Sequence, residues 1–157
     1  MDNTFVVFDD IEEEMVMAKV AVVYWSGSGH TGKMAEAVCE GAKAAGADAH
    51  LYKAMDFSAS MVNQFDTIAF GCPARGNEQL EEETMQPLWD ACKTQLKGKR
   101  IGLFGSYGAG GGPWMQSWEE DADKAGAKLA CLSVICKGDP DEHALKECVV
   151  MGVSLAR

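Results

Sequence analysis

KVAVVYWSGSGHTGK, Lys19 to Lys33, joins a short apolar run to a segment in which Gly27, Gly29 and Gly32 alternate with the hydroxyls of Ser26, Ser28 and Thr31. It reads as strand, anion-binding loop, helix. A buried strand from Val20 to Tyr24 stops where glycine frees the backbone to turn, and the helix that follows begins with unpaired N–H groups facing back toward the turn. Those donors, the positive end of the helix dipole and the three hydroxyls suit a phosphate.

Two kinds of phosphate loop compete for this stretch. GSGHTGK, Gly27 to Lys33, satisfies the glycine and lysine spacing of a nucleoside-triphosphate loop. However, Met34 stands where a Mg²⁺-holding Ser or Thr is needed, and neither Ile68–Phe70 nor Ile101–Phe104 ends in the metal-binding Asp of such proteins. A phosphate monoester held by amides and hydroxyls needs neither metal nor lysine, so Ser26 to Thr31 is the better unit. Lys33 either approaches the phosphate or is solvated on the first helix.

The chain has 157 residues, 47% of them hydrophobic, and 17 glycines, enough for one domain with a sheet covered on both faces. A formal charge of −10 argues against nucleic acid or an anionic membrane and favours a basic protein partner. No apolar run reaches membrane-spanning length, and no basic segment followed by an apolar core opens the chain, so a cytoplasmic location is expected. The six cysteines, Cys39, Cys72, Cys92, Cys131, Cys136 and Cys148, show no C-x-x-C spacing, and His30, His50 and His143 do not cluster with them. They read as reduced packing residues with no metal site. On a continuous strand Cys131 and Cys136 would face opposite sides.

Apolar runs alternate with helical periods. Helices are expected over about 31–45, 82–96, 113–125 and 140–155, strands over about 20–24, 49–52, 67–71, 100–105 and 128–135, and a helical or looped stretch over 58–65. Proline in the opening turns of the last two helices and glycine after several others punctuate them. Five strands so connected predict a doubly wound parallel sheet, an α/β three-layer sandwich. Ligands of such sheets lie beyond the carboxyl ends of the strands. The third strand is followed there by GCPARGNEQLEEE, Gly71 to Glu83, and the fourth by GSYGAGGGPW, Gly105 to Trp114. Three glycine-rich ends make a cleft with a backbone floor, suited to a flat ligand.

YWSGSGHTGKMAE, GCPARGNE and GLFGSYGAGGGPWMQSWEE together resemble the short-chain flavodoxins of clostridial type, over about Lys19 to Leu155. The resemblance implies strand order 2-1-3-4-5, one non-covalent FMN, and no long insertion in strand five. It assigns the FMN phosphate to Ser26, Gly27, Ser28, Gly29, His30 and Thr31. The ring would be held by the segment Cys72, Pro73, Ala74, Arg75, Gly76, Asn77 and Glu78, and by the segment Ser106, Tyr107, Gly108, Ala109 and Gly110. Within these, Gly76 corresponds to a glycine whose peptide turns on flavin reduction, and Glu78 to an acceptor for the pyrimidine edge. The amides of Ser106, Tyr107 and Gly108 would meet the pyrimidine oxygens and the ring edge.

Two departures bear on tuning. Arg75 stands in place of a methionine on the inner flavin face, and Ala109 in place of a stacking tryptophan on the outer face. Lost aromatic cover beside a guanidinium should stabilise the reduced ring and make the carrier less reducing. Trp114 is either a partial substitute for that cover or a core residue.

The implied function is a low-potential, FMN-dependent carrier of single electrons between redox proteins, not an enzyme. It is expected to act as a monomer on basic-faced partners such as reductases and ferredoxin-dependent oxidoreductases. Glu78, Glu81, Glu82, Glu83, Glu119, Glu120 and Asp121 are the expected acidic docking face. An NAD(P)H-dependent flavin or quinone reductase, for which an open face at Ala109 would leave room, and a flavin-free binding module are the alternatives. Residues 1–18, with the apolar Phe5–Phe8 and acidic Asp9–Glu14, fall outside the resemblance as an N-terminal extension to a domain spanning 19–157.

Overall fold

A computed structural model of the chain describes residues 17–74, 79–108 and 110–157, and every structural statement below is made of these. The elements run β1 (Lys19–Tyr24), α1 (His30–Ala44), β2 (Asp48–Lys53), two 3-10 turns (Ala54–Asp56 and Ala59–Gln64) and β3 (Thr67–Gly71). They continue as α2 (Met85–Cys92), a 3-10 turn (Lys93–Gln95), β4 (Arg100–Tyr107), α3 (Pro113–Lys124), β5 (Lys128–Leu129), β6 (Val134–Lys137) and α4 (Glu142–Leu155). All pairings are parallel, in the order 2-1-3-4-5. The fifth place is shared by β5, opposite Arg100 and Ile101, and β6, opposite Phe104 to Tyr107.

Period-two alternation divides the core between the two faces of the sheet. Val20 and Val22 of β1, with Ala69 and Phe104, pack against Met34, Val38, Cys148 and Met151 of α1 and α4. Ala21 and Val23, with Ile68, Phe70, Ile101 and Leu103, pack under Trp89, Trp114 and Trp118 of α2 and α3. Phe70 meets Trp89 edge-on at 5.1 Å, and Trp89 meets Trp118 likewise at 5.7 Å. Each contact adds about 0.5–1.5 kcal/mol to the area buried.

Three expected boundaries shift for identifiable reasons. Helix α2 begins at Met85 rather than Glu82. Pro87 thereby falls in its first turn, where a missing N–H has no intrahelical acceptor to lose; in the interior of a helix begun at Glu82 it would break a bond. Pro140 lies before α4, whose N-cap is Asp141, its carboxylate accepting the Ala144 amide at 2.8 Å. The expected strand 128–135 is interrupted between Leu129 and Val134, where the Ser133 hydroxyl donates to Glu119 Oε2 at 2.6 Å and Leu132 is 88% exposed. That interruption resets the side-chain alternation, so Cys131 and Cys136 pack on the same face, toward α1 and α4, instead of opposite ones. All six cysteines are free thiols. Burial raises Cys92 to about 11 and Cys148 to about 12, so both stay protonated at neutral pH.

Helices α1 and α4 touch through glycine. A Cβ on Gly41 would fall 2.1 Å from the Val149 carbonyl oxygen, and one on Gly152 would fall 2.0 Å from that of Val38. Because both obstacles are backbone, Gly41→Ala and Gly152→Ala must separate the helices. Each should lower unfolding free energy by about 2 kcal/mol or more, measured by urea denaturation at unchanged m-value.

Candidate functional site at the carboxyl edge of the sheet

The three loops are tied to one another in series. The Trp25 amide donates to the Gly71 carbonyl (3.0 Å), that of Cys72 to Phe104 (3.1 Å), that of Ala74 to Ser106 (3.0 Å) and that of Gly138 to Tyr107 (2.9 Å). Below them Trp114, 1% exposed, donates its indole N–H to the Cys72 carbonyl at 3.2 Å and packs against Tyr107. Trp114 is therefore a core residue under the loops and not a lid. A Cβ on Gly105 would meet the Cys72 carbonyl oxygen at 2.1 Å, which fixes how closely β3 and β4 approach at their ends.

The first loop is arranged as an anion cradle. Gly29, at φ +96°, turns the chain into α1, a conformation open to glycine at little cost. Ser26 Oγ accepts the amides of Gly29 (3.1 Å) and Gly32 (3.2 Å), and Ser28 Oγ accepts that of His30 (3.4 Å). Each hydroxyl, used here as an acceptor, retains its own O–H as a donor. The amides of Gly27, Ser28 and Thr31 have no acceptor among the described residues. No carboxylate stands between Tyr24 and Ala35, although the chain carries a charge of −10. Thr31, 1% exposed, turns inward: its Oγ1 lies 3.1 Å from Ser106 Oγ and accepts the Ser106 amide at 3.3 Å.

Eight of the residues picked from sequence, Gly27, Ser28, His30, Pro73, Ala74, Ser106, Tyr107 and Gly108, line one cleft of about 260 Å³ together with Trp25 and Gly138. Ser26 and Gly29 line a neighbouring cleft of about 550 Å³ that extends to Lys53, Met55 and Thr84. Cys72 lies beneath the loop, fully buried, its thiol accepting the Glu81 amide at 3.4 Å. Gly110 lines neither cleft. Arg75, Gly76, Asn77, Glu78 and Ala109 lie outside the described residues, as does the extension through residue 16. Sequence reading missed Gly138, which enters because the chain beyond β6 reaches the same edge; its signal was the KGDP turn, Lys137 to Pro140.

The expected acidic face is only partly available. Glu81 is buried, with its carboxylate accepting the amides of Glu83 and Thr84 (both 2.8 Å) and Met85 (2.9 Å), so it caps α2. Glu119 holds Ser133. Asp121 accepts from Trp89 Nε1 (2.7 Å) and Lys93 Nζ (2.9 Å). Burial pushes the Asp121 carboxyl up, but these hydrogen bonds and the Lys93 charge more than offset it and hold it below the usual range. Glu82, Glu83 and Glu120 remain exposed.

A loop of hydroxyls and amides at the switch point of a doubly wound sheet, flanked by two further loops at the strand ends, defines a protein of flavodoxin-like fold. The Flavodoxin family model matches residues 22–152. The chain is 38% identical over 138 residues to the flavodoxin of Megasphaera elsdenii, covering 88% of this chain and 98% of that one. It is 36% identical over 135 residues to that of Clostridium beijerinckii, covering 86% and 97%. A solution structure of two-electron-reduced Megasphaera elsdenii flavodoxin superposes with a TM-score of 0.81 at 39% identity, over 87% of this chain and 98% of that one. The chain belongs to the flavodoxin family, in its short-chain, clostridial-type branch. Its cofactor is FMN, and its function is electron transfer to redox protein partners rather than enzymatic catalysis. No helix among the described residues is long and apolar enough to cross a membrane.

Because Glu81 supplies the acceptor for three amides at the start of α2, Glu81→Ala should destabilise the protein by about 2 kcal/mol. Glu82→Ala, at an exposed neighbour, should change stability by less than about 0.5 kcal/mol. Thermal or urea denaturation of the two variants side by side checks this.

Proposed function

We propose that the loop Ser26 to Thr31 holds the FMN phosphate, and that the segments 72–78 and 106–110 hold the ring, with Glu82, Glu83 and Glu120 flanking a docking face for basic redox partners. The single observation that carries the reading is a loop whose amides at Gly27, Ser28 and Thr31 have no acceptor among the described residues, beside two serine hydroxyls and free of carboxylates, at one edge of a strongly acidic chain.

Bound FMN supplies one- and two-electron redox chemistry, and the protein's part is binding, orientation and electrostatics. The amides of Gly27, Ser28 and Thr31 and the hydroxyls of Ser26 and Ser28 donate to the phosphate, replacing its water with fixed dipoles. The Thr31 side chain positions rather than donates, since its hydroxyl braces Ser106. Ser106, Tyr107 and Gly108 present backbone at the ring edge. Pro73 and Ala74 would add small side chains to the lining of the same cleft, and Trp114, bonded to the Cys72 carbonyl, holds their loop from beneath.

Negative charge around the cleft steers a basic partner into contact and is screened by salt, which suits brief encounters of a monomeric carrier in the cytoplasm. The reading predicts that the purified protein binds one FMN and binds riboflavin at least about a hundredfold more weakly, since charge-assisted hydrogen bonds to the phosphate are worth about 1.5–3 kcal/mol each. Fluorescence titration of the flavin-stripped protein measures both. Equal affinity for the two flavins contradicts the assignment of the loop.

A further inference from the structure

Lys33 and Asp139 meet at the rim of the phosphate loop from different elements. Lys33 Nζ, on the first turn of α1, lies 2.9 Å from Asp139 Oδ1, and His30 Nε2 lies 4.0 Å from the same oxygen. Asp139 follows Gly138, which lines the small cleft with His30, Gly27 and Ser28 and is anchored by its amide to the Tyr107 carbonyl. The loop itself carries no carboxylate, so Asp139 brings a negative charge to the rim from beyond β6. The Lys33 ammonium, hydrogen-bonded to it, holds the Asp139 carboxyl below the usual carboxylate range, so it is charged at neutral pH.

Both side chains are more than half exposed, at 57% and 62%. Exposed ion pairs contribute little to folding stability. Their effect on an anion bound nearby is larger, because a phosphate carries close to two negative charges and interacts with every unbalanced charge within a Debye length.

We infer that Lys33 and Asp139 form a charge-balancing pair that sets how tightly the loop retains FMN: Asp139 repels the phosphate, and Lys33 cancels that repulsion while Asp139 keeps Lys33 from the phosphate itself. The inference rests on the assignment of the loop to the FMN phosphate. Removing either member unbalances the rim in a known direction. Without Asp139, Lys33 is released and the phosphate is held more strongly; without Lys33, the carboxylate is unmasked and the phosphate is held more weakly.

The test is FMN and riboflavin titration of the flavin-stripped native protein and of Asp139→Asn, Lys33→Met and the double variant, at fixed pH and low ionic strength. Asp139→Asn should tighten FMN about three- to tenfold and Lys33→Met should weaken it by a similar factor. The double variant, from which two opposite charges have been removed together, should return to within about twofold of the native value. Riboflavin affinity and melting temperature should stay unchanged throughout, and both FMN effects should shrink in 0.5 M salt. An unchanged FMN affinity in Asp139→Asn overturns the inference, as does a loss in Lys33→Met that persists in the double variant. Loss of riboflavin affinity in parallel with FMN also overturns it, since the effect would then not act through the phosphate. Should native protein fail to prefer FMN over riboflavin, the assignment of the loop falls first and this inference with it.

Discussion

The buried contact between the hydroxyls of Thr31 and Ser106, 3.1 Å apart across 75 residues of sequence, makes one site out of separate strand ends. Thr31 lies in the first turn of the helix after β1, and Ser106 lies near the end of β4, with β3 between the two strands in the sheet. The contact spans the middle strand, and the amides of Trp25, Cys72 and Ala74 complete the tie by stepping from one strand end to the next. A group held by the first loop is therefore held in fixed relation to the third, which is what positioning a flat ring beside its own phosphate tail requires. Thr31 and Ser106 are both buried polar residues, and each satisfies the other, as the cost of an unpaired buried hydroxyl demands.

Charge is distributed to the same end. An acidic chain binding an anionic cofactor faces repulsion everywhere except where it places dipoles instead of carboxylates, and the stretch Tyr24 to Ala35 is such a place. Beyond it the acidic side chains divide by role. Glu81, Glu119 and Asp121 spend their charge inside the fold, on a helix cap, a strand break and an indole, while Glu82, Glu83 and Glu120 face solvent. The acidic face implied by composition is thus smaller than a count of carboxylates suggests.

The sheet was legible because β1, β3 and β4 are buried on both faces and read as continuous apolar runs closed by glycine. The Thr67–Gly71 boundaries agree residue for residue with those expected. The fifth strand was not, because KLACLSVI, Lys128 to Ile135, carries no glycine, proline or charge pattern to mark the break. The break goes with a side-chain bond from Ser133 to Glu119 on another element, and the pairing of Cys131 with Cys136 on one face follows from it. The start of α2 was misplaced for a similar reason: EEE, Glu81 to Glu83, looks like a helical first turn, yet Glu81 acts as its cap from outside. In the site, the loops were visible as glycine and hydroxyl patterns. The inward turn of Thr31, the core position of Trp114 and the arrival of Gly138 depend on contacts across the sheet that no local pattern encodes.

In the proposed site, the loops after β1 and β4 act as one rigid cradle for FMN. The most direct measurement is amide chemical-shift mapping of the ¹⁵N-labelled, flavin-stripped protein during FMN titration. Such a cradle should give large, simultaneous shifts for Gly27 to Thr31 and for Ser106 to Gly108, with downfield movement at Gly27, Ser28 and Thr31 as their N–H groups engage the phosphate. Small shifts at those amides with the main response elsewhere would contradict it.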